Sequence, residues 1–161
     1  MNRFLTTVLA VATWALPSAI PAYAHDYRLG DLQIADPWSR ATPPGARVGG
    51  GYLKVENKGS TPDRLLSVRM AQAGRVEIHE MSITDVVMRM RELSTGVVIA
   101  PGATVELKPS GLHVMFMDLA APLKQGDRHG GSLTFERAGT VAVEFAVEAI
   151  GAGRAAVDHA H

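Results

Sequence analysis

The sequence contains no cysteine among its 161 residues. Disulfide bonds, thiolate metal sites and thiol–disulfide chemistry are therefore excluded as sources of stability or function. There is also no excess of charge and no basic run, since 16 basic residues balance 16 acidic ones, so nucleic acids and anionic lipids are poor partner candidates. Signatures of common catalytic sites are missing as well: no G-x-S-x-G, no H-E-x-x-H and no glycine-rich loop that leads into a helix. We expect no enzyme activity.

The first 24 residues have the pattern of a secretory signal peptide. Arg3 precedes an apolar stretch, and the segment ends in the small-x-small tripeptide Ala-Tyr-Ala at Ala24. The apolar stretch is shorter than the roughly 20 residues that a membrane-spanning helix needs, and no later segment is long and apolar enough to span. We predict export with cleavage after Ala24, one domain over residues 25–150 and a flexible, histidine-containing tail over residues 151–161.

The remainder of the chain reads as short strands separated by turns. In TVAVEFAVEA, every second residue from Val141 to Val147 is apolar, and SLTFER and TVELKP alternate in the same way. Turn signals recur at a spacing of about ten residues, with no helical period between them. The pattern predicts a single-domain, all-β, antiparallel sandwich with Greek-key connections. The segment 36–50, rich in Pro and Gly, is predicted to be an irregular connection.

Five methionines and two histidines are concentrated in Ile78–Met117. RVEIHEM predicts a strand with His79 and Met81 on one face, and GLHVMFM predicts a strand with His113 and Met115 on one face. Each His-x-Met pair places an imidazole and a thioether within reach of one metal ion.

Between these two segments, VVMRMREL predicts another strand, joined to the first by a short hairpin connector at Ser82–Asp85. Met88 and Met90 would share one of its faces. The alternative to metal binding is core packing, because Met is a common gap-filler in protein interiors. Met70, Met88 and Met117 are predicted to be packing residues of this kind.

The chemistry of the donors favours one metal. Thioether and imidazole are soft, uncharged ligands, and together they suit Cu(I) better than zinc, which normally takes thiolate, imidazole or carboxylate. Calcium and magnesium require oxygen ligands. Because thioethers cannot form disulfides, such a site would survive in an oxidising compartment.

At these residues the chain resembles the periplasmic copper chaperones called PCu(A)C. The resemblance runs from DPWSRATPPGARVGGGYLKVENKG through VEIHEM, VMRMREL and ELKPSGLHVMFMDL to GDRHGGSLTFERAG. The family's Cu(I) site is a His, then ten residues, a Met, about twenty-one residues and His-x-Met. In this chain ten residues separate His79 from Met90, twenty-two separate Met90 from His113, and Met115 completes the motif.

The resemblance implies a cupredoxin-like sandwich that carries Cu(I) in the periplasm. It would deliver the ion to respiratory copper enzymes, chiefly cytochrome c oxidase, and another copper chaperone would be a second partner. The ligands implied are His79, Met90, His113 and Met115, and Met81 is a candidate accessory donor.

A secondary Cu(II) site is predicted at the chain ends. Family members often carry a C-terminal extension rich in His and Met that is linked to Cu(II), and His159 and His161 form a reduced version of it. Cleavage after Ala24 would make His25 the new N-terminus, where the α-amine and the imidazole can chelate Cu(II) together.

Three other functions are alternatives to copper transport. An electron-transfer cupredoxin is rejected because a blue-copper site needs a Cys thiolate. A copper oxidase or oxygenase built on His25 would need further histidines beside that residue. A structural β-sandwich without metal would leave the methionines to packing and would bind no copper.

Overall fold

The alternation of apolar and polar residues forms strands along the whole domain. The computed structural model describes residues 26–153, and the regular structure in this range is strand, without a helix. The eleven strands in this range are β1 (Tyr27–Leu29), β2 (Leu32–Arg40), β3 (Val48–Asn57), β4 (Asp63–Met70), β5 (Ala73–Thr84), β6 (Val87–Glu92), β7 (Val97–Ile99), β8 (Thr104–Leu107), β9 (Leu112–Leu119), β10 (Arg128–Phe135) and β11 (Gly139–Glu148). Over the same residues no helix is long and apolar enough to cross a membrane. The predicted signal peptide and residues 154–161 lie outside this range.

The strands form one continuous hydrogen-bonded path that folds around one core. Hydrogen bonds join them in the order β6-β5-β9-β3-β2-β11-β10-β4-β7, while β1 pairs with β2 and β8 pairs with β3. The two halves of the path pack face to face, since Phe116 of β9 meets Phe145 of β11 edge to face, with 5.3 Å between ring centroids. This confirms the predicted all-β sandwich. One pair departs from the antiparallel rule, because β11 runs parallel to β2 over Trp38–Arg40.

The core residues follow the predicted alternation. In β11, Val143, Phe145 and Val147 are buried, whereas Val141 is only partly buried. Met70 is also buried in the core, which confirms its assignment to packing.

Two segments differ from the sequence prediction. The stretch 36–50 is not one irregular connection, since β2 continues to Arg40 and β3 begins at Val48. A bulge at Asp36, which has a φ of 46°, allows β2 to pair with β3 on both sides of it. The hairpin connector lies at Asp85–Val86 rather than Ser82–Asp85, and both residues of this two-residue turn have positive φ, 50° and 65°.

Candidate metal centre

Strands β5, β6 and β9 place the predicted donors on one face of the sheet, away from the core. His79 of β5 lies directly opposite His113 of β9. Met81, two residues along β5, lies directly opposite Met90 of β6. Met115 follows His113 by two residues and therefore shares its face. The strand pairing thus collects all five donors into one region of the sheet.

His113 is held in an orientation that suits a metal ligand. The residue is only 6% exposed, and its Nδ1 lies 2.9 Å from the carbonyl oxygen of Gly111. Because a carbonyl can only accept a hydrogen bond, Nδ1 carries the proton and donates. Nε2 therefore keeps its lone pair, as in metal-binding histidines whose other nitrogen is fixed by a backbone carbonyl.

His79 is oriented by a carboxylate in the same manner. Its Nε2 lies 2.8 Å from Oε2 of Glu77, and only 14% and 18% of the two side chains are exposed. The Glu77 carboxylate oxygen accepts this hydrogen bond from Nε2–H, which leaves the lone pair on Nδ1. That Nδ1 is buried and has no hydrogen-bond partner within residues 26–153. A buried acceptor without a partner is unfavourable, and a bound metal ion would satisfy it.

The two imidazoles lie side by side. The ring centroids of His79 and His113 are 5.9 Å apart, in an edge-to-face arrangement. Within the described part of the chain, no group of three His, Cys, Asp or Glu residues could hold a metal ion. The remaining donors next to the two rings are therefore the methionine thioethers of the same face.

A cavity of about 390 Å³ opens beside His113. Met81 and Met115 line it together with His113, whereas His79 and Met90 lie outside its lining. Tyr52 and Arg40 also line the cavity. The Arg40 guanidinium carbon lies 5.7 Å from the Tyr52 ring centroid. Burial raises the pKa of the Tyr52 hydroxyl, and the Arg40 cation only partly opposes this shift. Tyr52 therefore contributes a neutral hydroxyl to the cavity wall at neutral pH.

Met81 and Met90 differ in how close they lie to the two histidines. β6 is separated from β9 by β5, and Met90 is also offset from His113 by two residues along the strands, so their backbones lie about 12 Å apart. Met90 must extend across β5 to share an ion with His113, and it is 49% exposed. Met81 lies on β5 itself and reaches the cavity from there. The structure therefore brings His79, His113 and Met115 together and places Met81 nearer to them than Met90.

Some features of the site were not predicted from the sequence, and some predicted residues cannot be placed. Glu77 and the Gly111 carbonyl orient the two histidines, and only the position of Glu77, two residues before His79 on the same face, could have indicated its role. Met88 was predicted to pack in the core, which is wrong, because it is 63% exposed. The candidate Cu(II) ligands His25, His159 and His161 lie outside the described residues.

Comparison with known sequences identifies a family. The sequence profile of the family described as "Putative lipoprotein LpqE-like" matches residues 32–147. A protein of Leifsonia xyli subsp. xyli, described as "Putative lipoprotein Lxx21020", is 29% identical over 147 residues, which cover 89% of this chain and 87% of the relative.

Comparison with solved structures identifies PCuAC domains as structural neighbours. The copper-bound PCuAC domain from PmoF2 is 30% identical, with a TM-score of 0.66 over 78% of this chain and 98% of the domain. The apo form of the same domain is 31% identical, with the same TM-score over 80% of this chain and 98% of the domain. The Cu(I) form of DR1885 from Deinococcus radiodurans shares the fold, at 24% identity and a TM-score of 0.57 over 82% of this chain and 86% of that one. These likenesses confirm the predicted cupredoxin-like sandwich.

Proposed function

The chain belongs to the LpqE-like family, and we propose that it is an exported copper chaperone that binds one Cu(I) ion and passes it to other proteins. The observation that carries the proposal is the facing pair His79 and His113, in which each ring has one nitrogen fixed by an acceptor and the other free. The likeness to a PCuAC domain whose structure holds copper supports the same conclusion.

We assign the ligands as two imidazoles and two or three thioethers. His79 would bind through Nδ1 and His113 through Nε2, because these are the nitrogens with available lone pairs. Met115 and Met90 would supply sulfur, and Met81 would be an accessory donor that lies directly opposite Met90. This soft, neutral set suits Cu(I), and it allows release by ligand exchange because no thiolate has to be displaced.

The proposed recipients are respiratory copper enzymes such as cytochrome c oxidase, with another copper chaperone as a second partner. The role is one of binding and transfer, without catalytic turnover. Export would depend on the signal peptide at residues 1–24, with release into the periplasm after Ala24. A secondary Cu(II) site at His25, His159 and His161 stays a prediction.

Competition for Cu(I) tests the proposed function. We expect the wild-type protein to take up one equivalent of Cu(I) from a chromophoric Cu(I) chelator under anaerobic reducing conditions. The double variant His113→Ala, Met115→Ala should lose most of this affinity while circular dichroism shows an intact fold. If the wild type does not compete for Cu(I), the methionines serve only in packing. Equal binding by both proteins would move the copper to the histidines at the chain ends.

The two methionines Met81 and Met90 lead to a separate prediction. Met81→Leu and Met90→Leu, each of which removes sulfur at nearly constant volume, should singly lower Cu(I) affinity by less than about tenfold. The double variant should lose clearly more than the sum of the two free-energy changes, because each thioether substitutes for the other. Met70→Leu, in the core, is the matched control. Additive losses in the same chelator competition would show that the two sulfurs act independently.

A further inference from the structure

The hairpin of β5 and β6 exposes apolar side chains that the copper site does not use. Beyond the pair Met81 and Met90, Ile83 lies opposite Met88 on the same face, and the turn follows. Ile83 is 69% exposed, Met88 63% and Val86, at the tip, 98%. We call Ile83, Val86 and Met88 the hairpin strip. Together with half-exposed Met90 it forms an apolar path from the metal centre to the tip. Contiguous exposed apolar residues of this kind mark interaction sites.

The backbone conformation of Val86 is a second indication that the strip binds another molecule. Its φ of 65° is costly for a β-branched side chain, and two-residue turns of this type favour Asn or Gly. The Val86 side chain is almost fully exposed, so it contributes little packing that would offset this strain. An apolar side chain kept in a strained, solvent-facing position is accounted for if another molecule covers it.

We propose that the hairpin strip is the docking surface for the protein that exchanges Cu(I) with this chain, a partner that presents soft donor side chains within an apolar rim. The inference rests on the proposed function. Transfer by ligand exchange requires the partner's donors to reach the ion while this chain still holds it. His113 is buried, His79 is nearly so, and Met81 and Met115 are partly buried, so half-exposed Met90 is the most accessible of the donors. A partner that enters there also covers the strip, because Ile83 and Met88 are the next pair along the hairpin after Met81 and Met90.

The size of the strip favours a transient protein partner over a permanent dimer. A stable interface uses about 20–30 residues on each side, many more than the strip offers, whereas short-lived encounters use smaller areas. Charge argues against a lipid surface. The hairpin carries four acidic residues against three basic ones, so it has no basic excess that would attract anionic headgroups. The acidic residues are Glu77, Glu80, Asp85 and Glu92, and the basic residues are Arg75, Arg89 and Arg91.

The test compares two acceptors of Cu(I). The copper-loaded chain is mixed either with the metal-free soluble copper domain of a cytochrome c oxidase subunit or with bathocuproine disulfonate, a small chelator that needs no docking surface. The variant is Ile83→Thr, Val86→Gly, because Thr keeps the β-branched shape favoured in strands and Gly fits the positive φ. We expect transfer to the protein to slow by about tenfold or more. Transfer to the chelator should stay unchanged.

Two single variants separate surface from sulfur and from folding. Met88→Leu keeps an apolar side chain but removes the thioether, and it should transfer copper to both acceptors at the wild-type rate. Val86→Gly should leave the melting temperature equal or higher, because it relieves strain, and should still slow transfer to the protein. Slow transfer with Met88→Leu would show a sulfur relay in place of a docking surface and would overturn the proposal.

The other possible outcomes also test the proposed docking surface. Equal rates to the protein acceptor for variant and wild type would overturn the proposal, as would equal slowing with both acceptors. A wild-type chain that gives copper to the chelator but not to the protein would refute the partner class and leave copper binding intact. If the wild type sediments as a dimer and the variant does not, the strip binds a second copy of the chain. If the wild type binds phosphatidylcholine–phosphatidylglycerol vesicles and the variant does not, the strip binds lipid. Absence of Cu(I) binding by the wild type would instead refute the proposed function.

Discussion

His113→Gln is expected to weaken Cu(I) binding by at least about 100-fold. Loss of a residue that merely orients a metal-binding histidine typically costs about 10–100-fold, so loss of the proposed ligand itself should cost more. Glutamine offers Cu(I) a hard amide oxygen in place of imidazole nitrogen, which Cu(I) does not favour. The measurement is competition with a chromophoric chelator at neutral pH under anaerobic conditions, at several protein concentrations.

His129→Gln is the matched control for this prediction. His129 lies on β10, which pairs with β4 and β11 in the other half of the path, so the same chemical change there should leave Cu(I) affinity unaltered. Equal losses in the two variants would point to a general effect of replacing histidine rather than to a ligand at position 113. Unchanged affinity in His113→Gln would remove this residue from the site.

The faces of the strands could be predicted from the sequence because side chains in a strand alternate with a period of two. This rule correctly placed His79 with Met81 and His113 with Met115. The direct opposition of His79 and His113 could not be predicted in the same way. It depends on the pairing of β5 with β9, which are far apart in the chain and are joined by no hairpin turn whose type would fix the register.

The prediction that Met88 is buried was wrong for a related reason. Alternation shows which residues share a face, but burial requires another layer of the protein to cover that face. The β5–β6 hairpin lies at the edge of the sheet, and every residue of β6 is exposed. Neither face of β6 is therefore covered by the core, although its residues alternate. Glu77 was missed because a carboxylate two residues before a histidine in a strand is common. Its role appears only when the distance to Nε2 is known.

Gly131→Ala is expected to lower the free energy of unfolding by about 3 kcal/mol, because the added methyl group has no room between β10 and β4. A Cβ atom at Gly131 would overlap the backbone carbonyl oxygen of Arg69 in β4 and would lie 3.0 Å from Cε2 of buried Phe145. Neither neighbour can move freely, since Arg69 belongs to a paired strand and Phe145 packs against Phe116. The melting temperature should fall by about 10 °C.

Gly130→Ala, one residue earlier in β10, is the control, because a Cβ there meets nothing within 4 Å and no positive φ has to be kept. Its stability should change by less than about 0.5 kcal/mol in chemical denaturation. A small loss in both variants would mean that β4 and β10 can separate to admit a methyl group. Because β10 pairs with neither β5 nor β9, Gly131→Ala protein should still bind Cu(I) with wild-type affinity at temperatures where it remains folded. Weakened binding under those conditions would show that the packing around β10 and β4 controls the geometry of His79 and His113.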